Sequence, residues 1–130
     1  IELNREELNF ELDKLSDKDL NDLKSLKSPP FAILQVAEAV CLLHSKQPTF
    51  YNFTKLIDSN FIANLKLFDS LSISDYTMDQ IKNYIEDKNF TLEYIEKVSK
   101  TASVLFRWVK FSYEFKKKAL LSDSDVKKVI

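Results

Sequence analysis

The residues best suited to chemistry are few. Cys41 and His44 lie one helical turn apart, a Cys-x-x-His pair that could give a metal two ligands or set a thiol beside a base. A structural zinc needs about four ligands, and the chain holds one cysteine and one histidine in all. A nucleophile needs an accessible, activated position. Both residues instead fall on an apolar helical stripe, so they read as packing residues. The acidic pairs Asp17/Asp19 and Asp123/Asp125 sit in polar stretches, where caps and turns explain them better than general acid–base work. Asp75/Asp79 lacks calcium-loop spacing. Glycine is absent, which excludes the phosphate-cradling loop, the dinucleotide fingerprint and the nucleophile elbow. No catalysis and no cofactor are expected.

The basic residues offer more. Net charge is −1 over 130 residues, but its distribution is uneven. Residues 1–23 carry three basic and eight acidic groups, and residues 58–96 carry three and eight. Residues 24–57 carry four and one, and residues 97–130 carry nine and three. Lys24 and Lys27 lead one basic segment; Lys97, Lys100 and Arg107 lie in the other, with Lys97 and Lys100 helical neighbours. Side by side, the two segments would form one positive face that favours acidic partners. The plainer reading pairs the acidic N-terminal rod with the basic C-terminal helix. Nucleic acid is not the expected partner, since the chain is not basic overall and its aromatics fall at core spacing. A membrane is not expected either, because no stretch approaches spanning length without charge. With no signal-peptide pattern and a lone cysteine, a reducing compartment fits. The missing initiator Met reads as a piece of a longer protein.

These groups must be positioned by helices. Apolar residues make up 45% of the chain, with ten Phe, five Tyr and one Trp to fill a core, and the lack of glycine disfavours tight hairpins. Residues 1–27 read as one charged helix with Leu8, Leu12 and Leu15 at coiled-coil spacing and Leu20, Leu23 and Leu26 on a shifted face. Pro29-Pro30 forces a corner, because proline lacks an amide donor and clashes with the preceding turn. Ser28 is the expected N-cap of the next helix, an apolar one over about 30–44. Short helices follow near Phe50–Ile57 and Asn60–Phe68. Thr77 with Gln80 suggests a capping box for a helix carrying Met78, Ile81, Tyr84 and Ile85, and Asp87-Lys88-Asn89 ends it. Thr91 caps a last helix through Ile95, Val98, Ala102, Leu105, Trp108 and Val109, which runs on through Phe111 and Phe115. Ser122–Asp125 makes its continuity uncertain.

Several pieces in order resemble the dynein heavy-chain family where its stalk enters the microtubule-binding domain. They are Pro29-Pro30 before Glu38-Ala39-Val40-Cys41, Asn60-Phe61 with Leu65 and Phe68, Ile81 with Tyr84, Asn89-Phe90-Thr91, and Val98-Ser99-Lys100-Thr101-Ala102 leading to Arg107-Trp108-Val109. The set spans about 20–115 and looks more axonemal than cytoplasmic. It implies an all-α fold, a six-helix bundle at the end of an antiparallel two-helix coiled-coil stalk. Residues 1–28 would be the outgoing arm, 29–107 the bundle and 108–130 the returning arm.

The resemblance further implies binding to microtubules (α/β-tubulin), with affinity set by coiled-coil register and coupled to a distant ATPase ring. The fragment would be monomeric, its parent part of a multisubunit motor complex in the cytoplasm or a ciliary axoneme. Carried over by position are Glu93, Lys97 and the helix start from Phe31 to Gln35; with Lys27, Lys66 and Lys100 these make the expected tubulin-facing set, and Pro29 and Pro30 the hinge. Two departures stand out. Leu34 sits where some members carry a lysine, which puts one tubulin salt bridge in question. Ser122–Asp125 replaces a region that often holds a proline. The competing reading is a coiled-coil adaptor that self-associates through its end segments.

Overall fold

The computed structural model describes the backbone of residues 3–129 and the side chains of residues 3–122. Its elements are α1 (Arg5–Asp13), α2 (Asp17–Lys24), α3 (Phe31–Leu43), α4 (Phe50–Leu56), α5 (Phe61–Leu67), a 3-10 turn (Ser70–Ser72), α6 (Asp75–Ile85), α7 (Leu92–Val98) and α8 (Lys100–Val129). No strand occurs among the described residues, so the fold is all-α. Helix α8 is the spine: α1, α2, α3, α6 and α7 and the 3-10 turn all pack on it.

The N-terminal rod is two helices, not the single one expected from its leucines. Asn4 caps α1 in a reciprocal box with Glu7, and Ser16 caps α2 in a second box with Asp19. Ser16 is extended (ψ 164°), so its hydroxyl satisfies the amide of Asp19 better than continued helix would. The leucine spacing still reports burial, since Leu8 and Leu12 are sealed and Leu20 and Leu23 nearly so. The five-residue step from Leu15 to Leu20, read as a shifted seam, is a joint between the two helices.

Three further caps differ from expectation. Pro30, not Ser28, stands at the N-cap of α3, and it makes no side-chain cap bond. Ser74, not Thr77, caps α6, accepting from the Thr77 amide. Thr91 caps α7 alone; Ser99 (φ −159°, ψ 122°) interrupts the run and restarts it as α8, its hydroxyl accepting from Ala102. The α8 backbone then continues unbroken through Ser122–Asp125.

The core gathers on α3 and the first half of α8. Ala37, Ala39, Val40, Cys41, Leu105, Trp108 and Val109 are fully buried. The Trp108 indole N–H donates to the Leu65 carbonyl at 3.0 Å, and its ring lies 5.5 Å from His44 and 5.2 Å from Phe68. As read from the sequence, Cys41 and His44 are packing residues. The Cys41 thiol reaches the Thr49 carbonyl, and His44 Nδ1 lies 2.8 Å from the Val40 carbonyl.

Helix α3 stops without glycine. Lys46 N–H bonds the Cys41 carbonyl and Ser45 N–H that of Leu42, the paired bonds that satisfy orphan carbonyls at a helix C-terminus. Such closure needs a left-handed residue, and Ser45 takes that role at φ 58°. A β-carbon there costs about 1 kcal/mol. Ser45→Gly is therefore expected to raise unfolding free energy by about 0.5–1 kcal/mol, read as a higher urea midpoint at unchanged slope.

A second prediction concerns acid. Burial lowers the His44 pKa below its ordinary 6.5, with Lys46 adding to the effect and the Val40 bond opposing it. The unfolded chain thus holds the proton more tightly, so stability is full above about pH 6.5 and falls as pH drops through the folded-state value. Urea melts between pH 7.5 and 5 should show that loss, and His44→Phe should flatten it.

Candidate functional site

The corner is built from a helix end, two prolines and a lysine clamp. Helix α2 closes at Ser25, whose amide bonds the Asn21 carbonyl. Pro30 is extended (φ −60°, ψ 157°) and its carbonyl accepts the Leu34 amide. Lys24 Nζ donates to the Ile57 carbonyl at 3.1 Å, which fastens the end of α2 to the end of α4. Lys24 is thus an internal clamp, a role invisible in the sequence because its partner is a backbone group 33 residues away. Beyond the clamp, Lys27 is exposed. Phe31, first residue of a core helix, leaves 60% of its surface in water, although burying a Phe is worth about 1.5–3 kcal/mol.

Helix α7 is short and pinned. Thr91 caps it, Ile95 is sealed in the core, and the helix packs against α3 and α8. With Ile95 inward, Glu93 and Lys97 stand exposed one turn apart, followed by exposed Lys100 at the start of α8. Glu96, Lys100 and Arg107 face Glu11 of α1 around a cavity of about 330 Å³. Among the described residues, Lys27, Lys97 and Lys100 make no ion pair within 4 Å.

Two members of the expected set stand apart. Gln35 is 5% exposed and its amide donates to Asp87 at 3.3 Å, so it faces the interior rather than a partner. It lies on the same side of α3 as buried residues because that helix is covered on nearly every face. Lys66 pairs with Asp13 of α1 at 2.8 Å, tying α5 to the first helix rather than standing beside α7. Phe31, Glu93 and Lys97 therefore sit on α3 and α7, which pack together, with Lys100 directly after them.

The surrounding chemistry is quiet. Burial pushes the Cys41 thiol up, against the pull of the Thr49 bond and with help from Glu38, so it stays protonated and inert. Burial first, then the Glu38 carboxylate, pushes the Tyr84 hydroxyl well above its ordinary range. No cluster of three or more metal-ligating side chains forms among the described residues, and no helix there is long and apolar enough to cross a membrane. A feature the sequence did not announce is an apolar cleft of about 190 Å³ beside α8, lined by Leu3, Leu92, Phe106, Phe111 and Phe115 together with charged residues of both signs, Glu114 among them. Arg5 lies 4.8 Å over the Phe111 ring and holds the start of α1 there.

The chain matches the family model of the microtubule-binding stalk of the dynein motor over residues 7–125. It is 33% identical over 99 residues, 75% of its length, to the Dynein-1-beta heavy chain of the flagellar inner arm I1 complex of Chlamydomonas reinhardtii. It is 33% identical over 100 residues, 76% of its length, to human Dynein axonemal heavy chain 2. Against the cytoplasmic dynein heavy chain of Dictyostelium discoideum the figures are 30% over 98 residues, 72% of the chain. In each case it spans about 2% of the relative's length. The Pro-Pro corner, the helices packed around α8 and a match covering most of the chain agree: the protein belongs to the family of microtubule-binding stalks of dynein motors.

Proposed function

We propose that the chain is the track-contacting tip of a dynein heavy chain. Its contact with tubulin would be made by the start of α3, by α7 and by the first turn of α8, through Lys27, Phe31, Glu93, Lys97 and Lys100. The observation that carries this reading is the union of two features on adjoining helices. Phe31 is exposed at the head of an otherwise buried helix, and Lys97 and Lys100, with no ion pair among the described residues, lie on and just after α7, which packs on that helix. Tubulin is acidic, so such lysines favour encounter and fix orientation more than they add raw affinity. Leu34 is half-buried and contributes shape rather than charge. Lys66 stays with Asp13, as an internal tie.

In this reading residues 1–28 and 108–130 are the two stalk arms and 29–107 the bundle. A change of register between the arms is delivered to α3 at the Pro29-Pro30 corner, where no side-chain cap resists it, so that two registers present two track affinities. The ATPase that drives the shift lies in the parent chain. The axonemal relatives favour a ciliary or flagellar setting, and the 130-residue chain is monomeric.

Cosedimentation with microtubules over a salt series is expected to show strong binding at low ionic strength that falls steadily as salt screens the exposed charges. Absence of binding at low salt in every stalk register would refute the reading. Lys97→Glu is expected to weaken binding roughly tenfold, about 1.4 kcal/mol, with far-UV circular dichroism unchanged. An unaltered affinity would remove Lys97 from the contact.

A further inference from the structure

Helix α3 is held mainly by apolar burial, which is non-directional and fixes its position along its own axis only weakly. Axial position depends on directional bonds to other elements. Among the described residues three side chains of α3 make such bonds, and two of them lead to the end of α6 while the third, Cys41, reaches the N-cap of α4. Gln35 Nε2 donates to Asp87 Oδ2 at 3.3 Å, and the Tyr84 hydroxyl donates to Glu38 Oε1 at 2.7 Å. Gln35 and Glu38 are three residues apart and so share a face of the helix. The bond from the Cys41 thiol goes to Thr49, in the segment that directly follows α3.

Asp87 does more than receive the amide. Its other carboxylate oxygen accepts the Asn89 amide at 2.8 Å and its carbonyl accepts that of Phe90 at 3.0 Å. Those bonds shape the turn that ends in Thr91, the cap of α7. The path from α3 to Glu93 and Lys97 is therefore continuous: Gln35, the Asp87 turn, the Thr91 cap, the helix. Gln35 is an odd choice for packing alone. Its Oε1 is buried without a partner among the described residues, a penalty that an apolar side chain of similar volume would avoid.

We propose that Gln35 and Glu38 are positioning residues that carry the axial position of α3, through Asp87 and Tyr84, to the turn that sets α7. The proposal rests on the reading above that stalk register moves α3. A shift of α3 by part of a turn would drag the Asp87 turn with it or part from it, and the exposed end of α7 would be set differently in the two registers.

The test uses the whole 130-residue chain, with both ends fused to an antiparallel coiled coil in two registers half a heptad apart. The quantity measured is the ratio of microtubule affinities in the two registers, for the unmodified chain, Gln35→Met and Tyr84→Phe. Gln35→Met is expected to melt at the same temperature or higher, yet to shrink the ratio at least threefold; Tyr84→Phe is expected to shrink it too. A role in packing alone would alter melting and leave the ratio as it was, and that outcome in Gln35→Met overturns the proposal. If Gln35→Met fails to fold, Tyr84→Phe, which loses a single hydroxyl, decides by the same criterion. A ratio of one in the unmodified chain would instead refute the register reading itself, and the proposal with it.

Discussion

The bond from the Trp108 indole to the Leu65 carbonyl is the constraint on which the bundle hangs. Leu65 is two residues from the end of α5, where helix carbonyls lose their internal partners, so a buried donor is needed there. Trp108 supplies it from the middle of the core-facing stretch of α8, while its ring face is covered by His44 at the end of α3 and by Phe68 just past α5. One side chain thus registers three elements against each other. The lone histidine, which could have been a ligand, is consumed as a neutral aromatic plate. The cluster joins the end of α3, the end of α5 and the middle of α8.

Around that fixed centre the charges are sorted by whether they find a partner inside the molecule. Lys24 ends on a backbone carbonyl and Lys66 on Asp13; both close contacts between elements distant in sequence. Lys97 and Lys100 remain in solvent beside Glu93 and Glu96. Near-neutral net charge therefore hides an uneven use of lysines, some bonded to distant elements and others left in solvent. Exposed pairs contribute little to stability, so the outward charges are free to serve recognition without weakening the bundle.

Much of this was legible in the sequence, for physical reasons that can be named. Leu8, Leu12, Leu20 and Leu23 announced a buried stripe because helical spacing and burial are directly linked. Pro29-Pro30 announced the corner because proline geometry leaves no alternative. The caps were harder. Ser74, Thr77 and Thr91 all offer a hydroxyl near a helix start, and Ser74 prevails for α6 because it puts its oxygen on the Thr77 amide while Asp75 and Tyr76 complete the first turn. Ser16 and Ser99 lie inside stretches read as continuous helices, but each leaves the helix and caps the next one. The resemblance put Gln35 and Lys66 in the partner-facing set, but spacing alone shows neither the burial of Gln35 in a helix covered on almost all sides nor the Lys66–Asp13 pair 53 residues apart in sequence.

The N-terminal helices and the helix they pack on are mechanically unlike. Helix α8 is continuous over 30 residues, roughly 45 Å of rod at helical rise. The N-terminal partner is interrupted at Leu15-Ser16, where extended backbone replaces a turn. Tension applied along such a pair is borne by the uninterrupted member, while the jointed one lengthens by opening a few capping bonds and leaves its two leucine pairs seated. A jointed strut beside a rigid one can bend toward one side more easily than the other. The pair would then be compliant in one direction and stiff in the opposite one.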